Sequence, residues 1–181
     1  MPLGVSLSQI RTLPEAAPIY RWQIQFDRPP AAGVVVPTPD RYNMQCVSSA
    51  IPKRDAGSGI ELIIRGHMVR LPGTYADTKT IDLTFFDTED NIISEYLASW
   101  REAMWHYDTG RRGGSREDVT ADISLIRLSN QDGPIWQYHL FGCYQEDYDP
   151  SGAELGADAE IMRPTQTLYY DFFTDDMSVR A

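Results

Sequence analysis

Apolar and polar residues alternate with a period of two over much of this chain. In residues 19–26, Tyr20, Trp22, Ile24 and Phe26 take one face and Arg21, Gln23 and Gln25 the other, the pattern of a half-buried strand. A loop holding Pro29, Pro30, Pro37 and Pro39 follows, and residues 41–52 then read as a second strand carrying Tyr42, Met44 and Cys46. In residues 78–86, Ile81, Leu83 and Phe85 alternate with Thr80, Asp82 and Thr84. Residues 121–128 and 135–144 flank the turn Asp132-Gly133-Pro134 and predict a hairpin, with Trp136, Tyr138 and Leu140 on one face. Residues 165–173 predict a last strand with Leu168, Tyr170 and Phe172 aligned.

The period changes once. Over residues 89–105, Ile92, Ile93, Tyr96, Leu97, Trp100 and Met104 recur at three- and four-residue spacing, which predicts a helix with one apolar stripe. Asp87 or Thr88 can cap its first turn, and Glu89 and Asp90 suit the positive end of its dipole. The glycine- and arginine-rich residues 106–118 read as a loop. The pattern predicts a mainly β fold: an antiparallel barrel or sandwich with one packed α-helix and a long protruding β-hairpin. No repeat and no internal domain boundary is visible. Residues 1–17, carrying Leu3, Val5, Leu7, Ile10 and Leu13, read as an N-terminal arm, 18–175 as the domain, and 176–181 as a C-terminal tail.

The hairpin comes from residues 53–75, a long excursion between two strands. It combines Gly57, Gly59, Gly66 and Gly73 with an apolar set, Ile60, Leu62, Ile63, Ile64, Met68, Val69 and Leu71. A single subunit has no evident room to bury that set, so it is expected to be a contact surface.

Composition narrows the function. The 181 residues are 42% hydrophobic and 23% charged, which is globular usage. No apolar run approaches the roughly 20 residues of a membrane helix, and the first residues lack the basic start and apolar stretch of an export signal. Neither membrane insertion nor Sec export is expected. Sixteen Lys and Arg against 26 Asp and Glu leave a net charge of −10, the wrong sign for sequence-independent DNA binding. Nine of the acids fall in residues 144–181, opposed only by Arg163 and Arg180. Cys46 and Cys143 have no metal-ligand spacing and read as small packed residues in a reducing compartment.

The residues for catalysis are not grouped. His67, His106 and His139 fall in three different elements, and no nucleophile elbow, Walker loop or dinucleotide fingerprint occurs. Glu146, Asp147 and Asp149 before Pro150-Ser151-Gly152 lack the ligand spacing of a calcium loop, which favours a solvated acidic loop. No enzyme activity, cofactor or metal is expected. Asp82, Asp122 and Asp171 each fall inside a predicted strand, where aspartate is disfavoured. They are either plain outward positions or, in a ring walled by sheet, acids facing a channel that a polyanion passes without sticking.

The order of elements resembles the tail tube proteins of contractile-tailed bacteriophages. The likeness rests on QCVSSAIP at residues 45–52, the excursion through IELIIRGHMVRLPG, and the strand-helix unit TIDLTFFDTEDNIISEYLASWREAM at residues 80–104. It continues through ADISLIRL, WQYHLFGCY and the aromatic strand LYYDFF, covering roughly residues 18–174. The resemblance implies a subunit that forms hexameric rings, stacked into a hollow tube with an electronegative lumen. It makes residues 53–75 the ring-to-ring connector and places the protein in a virion tail assembled in the host cytoplasm. The implied partners are further copies of itself, a sheath protein, a tape-measure protein, and baseplate and tail terminator proteins. DNA would pass through the lumen without specific binding. Asp82, Asp122 and Asp171 are the lumen-lining candidates. The proline-rich loop 29–39 and the acidic insertion 145–163 depart from a minimal tube subunit.

Two variants of this reading are a baseplate ring that initiates a tube and the tube of a contractile injection system. A different class is a monomeric β-sandwich that binds a ligand such as a carbohydrate through Tyr107, Trp136 and Tyr148. That class predicts the Ile60–Ile64 segment packed inside the subunit.

Overall fold

The first alternating segment is a strand, β1 (Trp22–Arg28), in a computed structural model that describes residues 20–30, 33–55, 58–73, 76–77, 79–151 and 161–176. The expected arm 1–17, the tail beyond residue 176 and residues 152–160 of the acidic insertion lie outside the described residues. Ile24 is buried, and Trp22 and Phe26 pack beside it against the core, as their alternation predicts.

The second segment departs from expectation. Its first half is a short helix, α1 (Pro39–Gln45), and only β2 (Cys46–Ser49) is strand. Pro39 at the first helical position, with Asp40 in the first turn, sets φ for a helix and favours its positive end. Helical spacing then buries Tyr42 and Gln45 and turns Met44 out to solvent, where a strand would have grouped Tyr42 with Met44. The helix also covers an open strand edge. The Ile24 amide donates to Asn43 Oδ1 at 2.6 Å, and Asn43 Nδ2 donates to the Ile24 carbonyl at 2.9 Å. One side-chain amide thus supplies a ladder rung to the side of β1 that has no strand beside it.

The chain continues through β3 (Arg54–Asp55), β4 (Ile60–Ile64), β5 (His67–Leu71), β6 (Ala76–Asp77) and β7 (Thr80–Phe85) to α2 (Ile92–Met104). Ile81, Leu83 and Phe85 are buried and Asp82 is exposed, as their alternation predicts. The helix starts at Ile92, later than residue 89. Asp87 caps its first turn from outside the helix: its carboxylate accepts the Ser94 amide at 3.0 Å and the Ser94 hydroxyl. Ile93, Tyr96, Leu97, Trp100 and Met104 form the buried stripe. Within the expected loop lies one further turn of helix, α3 (Arg116–Val119), opened by a reciprocal capping box between Ser115 and Asp118.

Then come β8 (Ala121–Leu128), β9 (Pro134–Asp149), β10 (Thr165–Tyr169) and β11 (Phe172–Asp176). The hairpin expected at Asp132-Gly133-Pro134 forms, with Arg127 opposite Trp136 and Ile123 opposite Leu140. The expected last strand is two strands. Both pair with the 16-residue β9, β11 with its first half and β10 with its second. The break falls at Tyr170 and Asp171 and shifts the phase, so Phe173 is buried and Phe172 is exposed.

Seven strands make the main antiparallel sheet, in the order β1-β8-β9-β10-β7-β2 with β11 also on β9. Gly142, at φ +64°, lies where β9 passes from one half of this sheet to the other. The space inside is filled by aromatic rings from four elements. Tyr42 lies 5.2 Å from Phe26, 5.1 Å from Phe85 and 5.6 Å from Tyr96, centroid to centroid. Trp100 joins them and donates its indole N–H to the Val119 carbonyl at 2.8 Å, so its one polar group is satisfied in the core.

Candidate assembly interface

The excursion of residues 53–77 leaves the sheet and holds two described strand pairs, β3 with β6 and β4 with β5. The ladder between β2 and β7 ends where the Ala50 amide donates to the Asp82 carbonyl at 2.9 Å. Pro52, lacking an N–H, interrupts it. Arg54 pairs with Asp77 and Asp55 with Ala76, and the pairs from Ile60–Leu71 to Ile64–His67 have the same register. The ribbon closes through Arg65 at φ 51° and Gly66 at φ 82°, two positive-φ residues that match a primed hairpin turn.

All ten residues of β4 and β5 are exposed. Ile60, Leu62, Ile63, Ile64, Met68, Val69 and Leu71 are each at least 40% accessible, and Ile63 and Met68 reach 76% and 69%. Register sorts them by face. Ile60–Leu71, Leu62–Val69 and Ile64–His67 share one face, and Glu61–Arg70 and Ile63–Met68 share the other. The first face is apolar except for His67 at the tip. The second is an acid–base pair nearer the root and an apolar pair nearer the tip, so apolar side chains stand on both faces near the tip.

The three strand aspartates occupy two different settings. Asp82 is exposed on the outer side of β7 opposite Thr167, whose hydroxyl donates to it at 2.8 Å. Asp122 and Asp171 meet at the bend in β9. Asp122 accepts the Gly142 amide at 2.9 Å, and a Cβ on Gly142 would come within 2.3 Å of Asp171 Oδ2. Each of the two also holds an arginine: Arg28 Nε donates to Asp122 at 2.8 Å, and Arg116 pairs with Asp171. The Arg28 hydrogen bond, aided by the Gly142 amide, keeps the Asp122 carboxyl below its ordinary range despite partial burial. These arginines, Asn43 and α1 were not evident as a set in the sequence. The Thr-Pro-Asp start at residues 38–40 and the Ser115-x-x-Asp118 spacing are the local signals that mark the two short helices.

Of the aromatic residues of the ligand-binding alternative, Tyr107 and Tyr148 share a side-chain hydrogen bond, but Trp136 does not join them. Trp136 and Tyr148 stand near opposite ends of β9, separated by roughly 40 Å of extended chain at 3.3 Å per residue. Both cysteines are free and buried, and burial pushes each thiol up to about 12, so neither is a ready nucleophile. Among the described residues, no cluster of His, Cys, Asp and Glu has the geometry of a metal site, and no helix is long and apolar enough to cross a membrane.

Several solved structures share this arrangement. A chain of the anti-feeding prophage baseplate superposes with a TM-score of 0.62 at 11% identity, covering 93% of this chain and 100% of that one. The fold is that of the contractile-tail tube proteins. A chain of the sheath/tube terminator of an extracellular contractile injection system shares this tail-tube fold, with a TM-score of 0.59 at 16% identity over 91% and 99% of the two chains. So does a chain of the sheath-tube complex of that kind of system, with 0.54, 16%, 96% and 99%. No family profile matches the sequence, and no curated protein matches it. The likeness to the tail-tube fold is therefore carried by three-dimensional arrangement, with the sequences widely diverged.

Proposed function

We propose that this chain is a structural, non-enzymatic tube subunit of a contractile tail, assembling as hexameric rings that stack into a hollow tube. The observation that carries this is the fully exposed apolar hairpin on a tail-tube fold. Seven large apolar side chains in water on a two-stranded ribbon are unfavourable alone, and covering them in a neighbouring ring supplies the association energy. Because apolar side chains stand on both faces near the tip, it would fit between two surfaces. The head-to-tail contact this makes does not close on itself, which is what an extending stack requires. Exposure of Ile60–Ile64 runs against the monomeric binding module, which needs that segment inside.

In this reading Ile60, Leu62, Ile63, Ile64, Met68, Val69 and Leu71 are the inter-ring contacts. Asp82 is a lumen carboxylate free of any arginine in the described structure. Asp122 and Asp171 would add to the lumen field more weakly, since Arg28 and Arg116 offset them. The tube would be enclosed by a sheath and bounded by baseplate and terminator proteins, in a virion tail through which DNA and a tape-measure protein pass. A second reading, the tube of an extracellular contractile injection system, is favoured by the source of the matched structures.

Negative-stain electron microscopy of the purified, concentrated chain tests the proposal. Long hollow tubes are expected. Isolated rings would shift the assignment to a ring that initiates a tube, and a monodisperse 20.5-kDa particle that never associates would overturn it.

A further inference from the structure

The ribbon raises a mechanical problem. Beyond the Ala50–Asp82 hydrogen bond the described strands pair only with each other, β3 with β6 and β4 with β5, and all of β4 and β5 is exposed. Two-stranded ribbons twist and swing readily. A connector that must meet a partner at a set angle needs a fixed root.

Arg54 stands at that root, in the first rung beyond the sheet. Its guanidinium pairs with the Asp175 carboxylate on β11, and its Cζ lies 5.1 Å from the centre of the Phe173 ring. Phe173 belongs to the core, 5.8 Å edge-on from Tyr170 and 6.4 Å from Tyr138. Asp175, opposite Tyr138, is on the same side of β11 as Phe173, so carboxylate and ring present one composite seat to the guanidinium. A planar cation can use both halves together, its edge toward the carboxylate and its face toward the ring. The far end of the seat is held because Phe173 packs against the buried Tyr170 and the half-buried Tyr138.

We infer that Arg54 is a positioning residue that braces the hairpin on the barrel: its seat on Asp175 and Phe173 sets the angle at which residues 60–71 project. The brace joins the last described strand to the apolar connector, so the stance of the hairpin depends on β11 staying docked on β9. Its consequence for stacking rests on the tube reading above, but the brace itself is a property of the single subunit and is testable there.

The test is a pulsed electron–electron distance measurement on the full chain, spin-labelled at Glu61→Cys on the hairpin and Gln131→Cys on the barrel turn, and diluted with unlabelled chain. The native cysteines are buried and leave the labels to the introduced sites. A narrow distance distribution is expected for the parent. It should broaden and shift in Arg54→Gln and Asp175→Asn, and narrow only in part in Arg54→Lys, which keeps the cation but lacks the planar face that lies on Phe173. A distribution that is already broad in the parent, or that is unchanged by Arg54→Gln and Asp175→Asn, would overturn the brace. Asp175→Asn keeps the test open if the Arg54 variant fails to fold, with circular dichroism as the check. Tube formation seen by microscopy is a separate readout. Labelled chain that is braced but never associates would sink the tube reading and leave the brace standing, and tubes formed by an unbraced hairpin would do the reverse.

Discussion

Ile123 and Ile63 are the same residue in the same kind of element, and they sit in opposite surroundings. Ile123 on β8 is fully buried, and Ile63 on β4 is 76% exposed. The contrast extends to their neighbourhoods. The barrel core gathers Ile24, Tyr42, Leu83, Phe85, Tyr96, Trp100 and Leu140 from strands and helices distant in sequence. The hairpin gathers a similar density of Ile, Leu, Val and Met in twelve consecutive residues that contact chiefly one another. Burial is thus a matter of what the rest of the chain brings near, and an apolar segment that the chain leaves uncovered points to a surface supplied by another molecule.

Substitutions should separate the two regions sharply. Trp100→Ala removes the largest fully buried side chain and the indole bond to Val119, and should cost about 3–5 kcal/mol in urea unfolding. Gly142→Ala asks an alanine to hold a φ of +64° with its Cβ against the Asp171 carboxylate, and should cost about 1–3 kcal/mol by the same measurement. An unchanged urea midpoint there would mean that β9 bends without needing glycine. Asp122→Asn should cost less than about 1 kcal/mol at neutral pH, because Arg28 is half exposed and water screens the pair. Its signature is in pH. A carboxyl held below its ordinary range contributes stability fully above the unfolded value of about 3.9, and that contribution is lost as pH falls through the lower folded value. The parent should therefore lose stability below about pH 4 more steeply than the Asn variant. Parallel curves would deny the Arg28 bond that role. The smallest effect on folding belongs to Ile63→Asp with Ile64→Asp, expected within about 0.5 kcal/mol of the parent because both side chains already face water. The same pair should abolish ring stacking, since a charge carried into an apolar contact is left unpaired. Loss of the fold instead would place the hairpin in the core and reverse the comparison.

Most of the body was readable from period alone. Alternation located β1, β7, β8 and the start of β9, and the three- and four-residue spacing located α2 with its buried stripe. Each of these buries one face against the core, so their side-chain pattern carries the information. Residues 39–45 were misread because Tyr42, Met44 and Cys46 happen to alternate, while the Pro39 start signal favours a helix turn. The last strand was read as continuous because Tyr170 and Asp171 do not break an apolar pattern. The break is imposed by β9, which bends at Gly142 and takes β10 and β11 on its two halves.

The hairpin shows how far sequence reaches toward assembly. Its apolar excess, glycines and length were enough to predict a protruding hairpin, because twelve consecutive residues carry more apolar side chains than a two-stranded ribbon can bury on itself. The charge of −10 likewise argues against gathering a polyanion by charge alone, since net charge follows from composition whatever the fold. Only the tertiary structure decided which of the strand acids hold an arginine. Asp82, Asp122 and Asp171 look alike in sequence, and nothing local says that Arg28 and Arg116 reach the last two or that both meet Gly142. Nor could local pattern seat Arg54 on Asp175 and Phe173, more than a hundred residues away. Period and composition record what each segment buries or exposes. Pairings across long separations depend on where the folded backbone brings two segments together, and that is set by the whole chain at once.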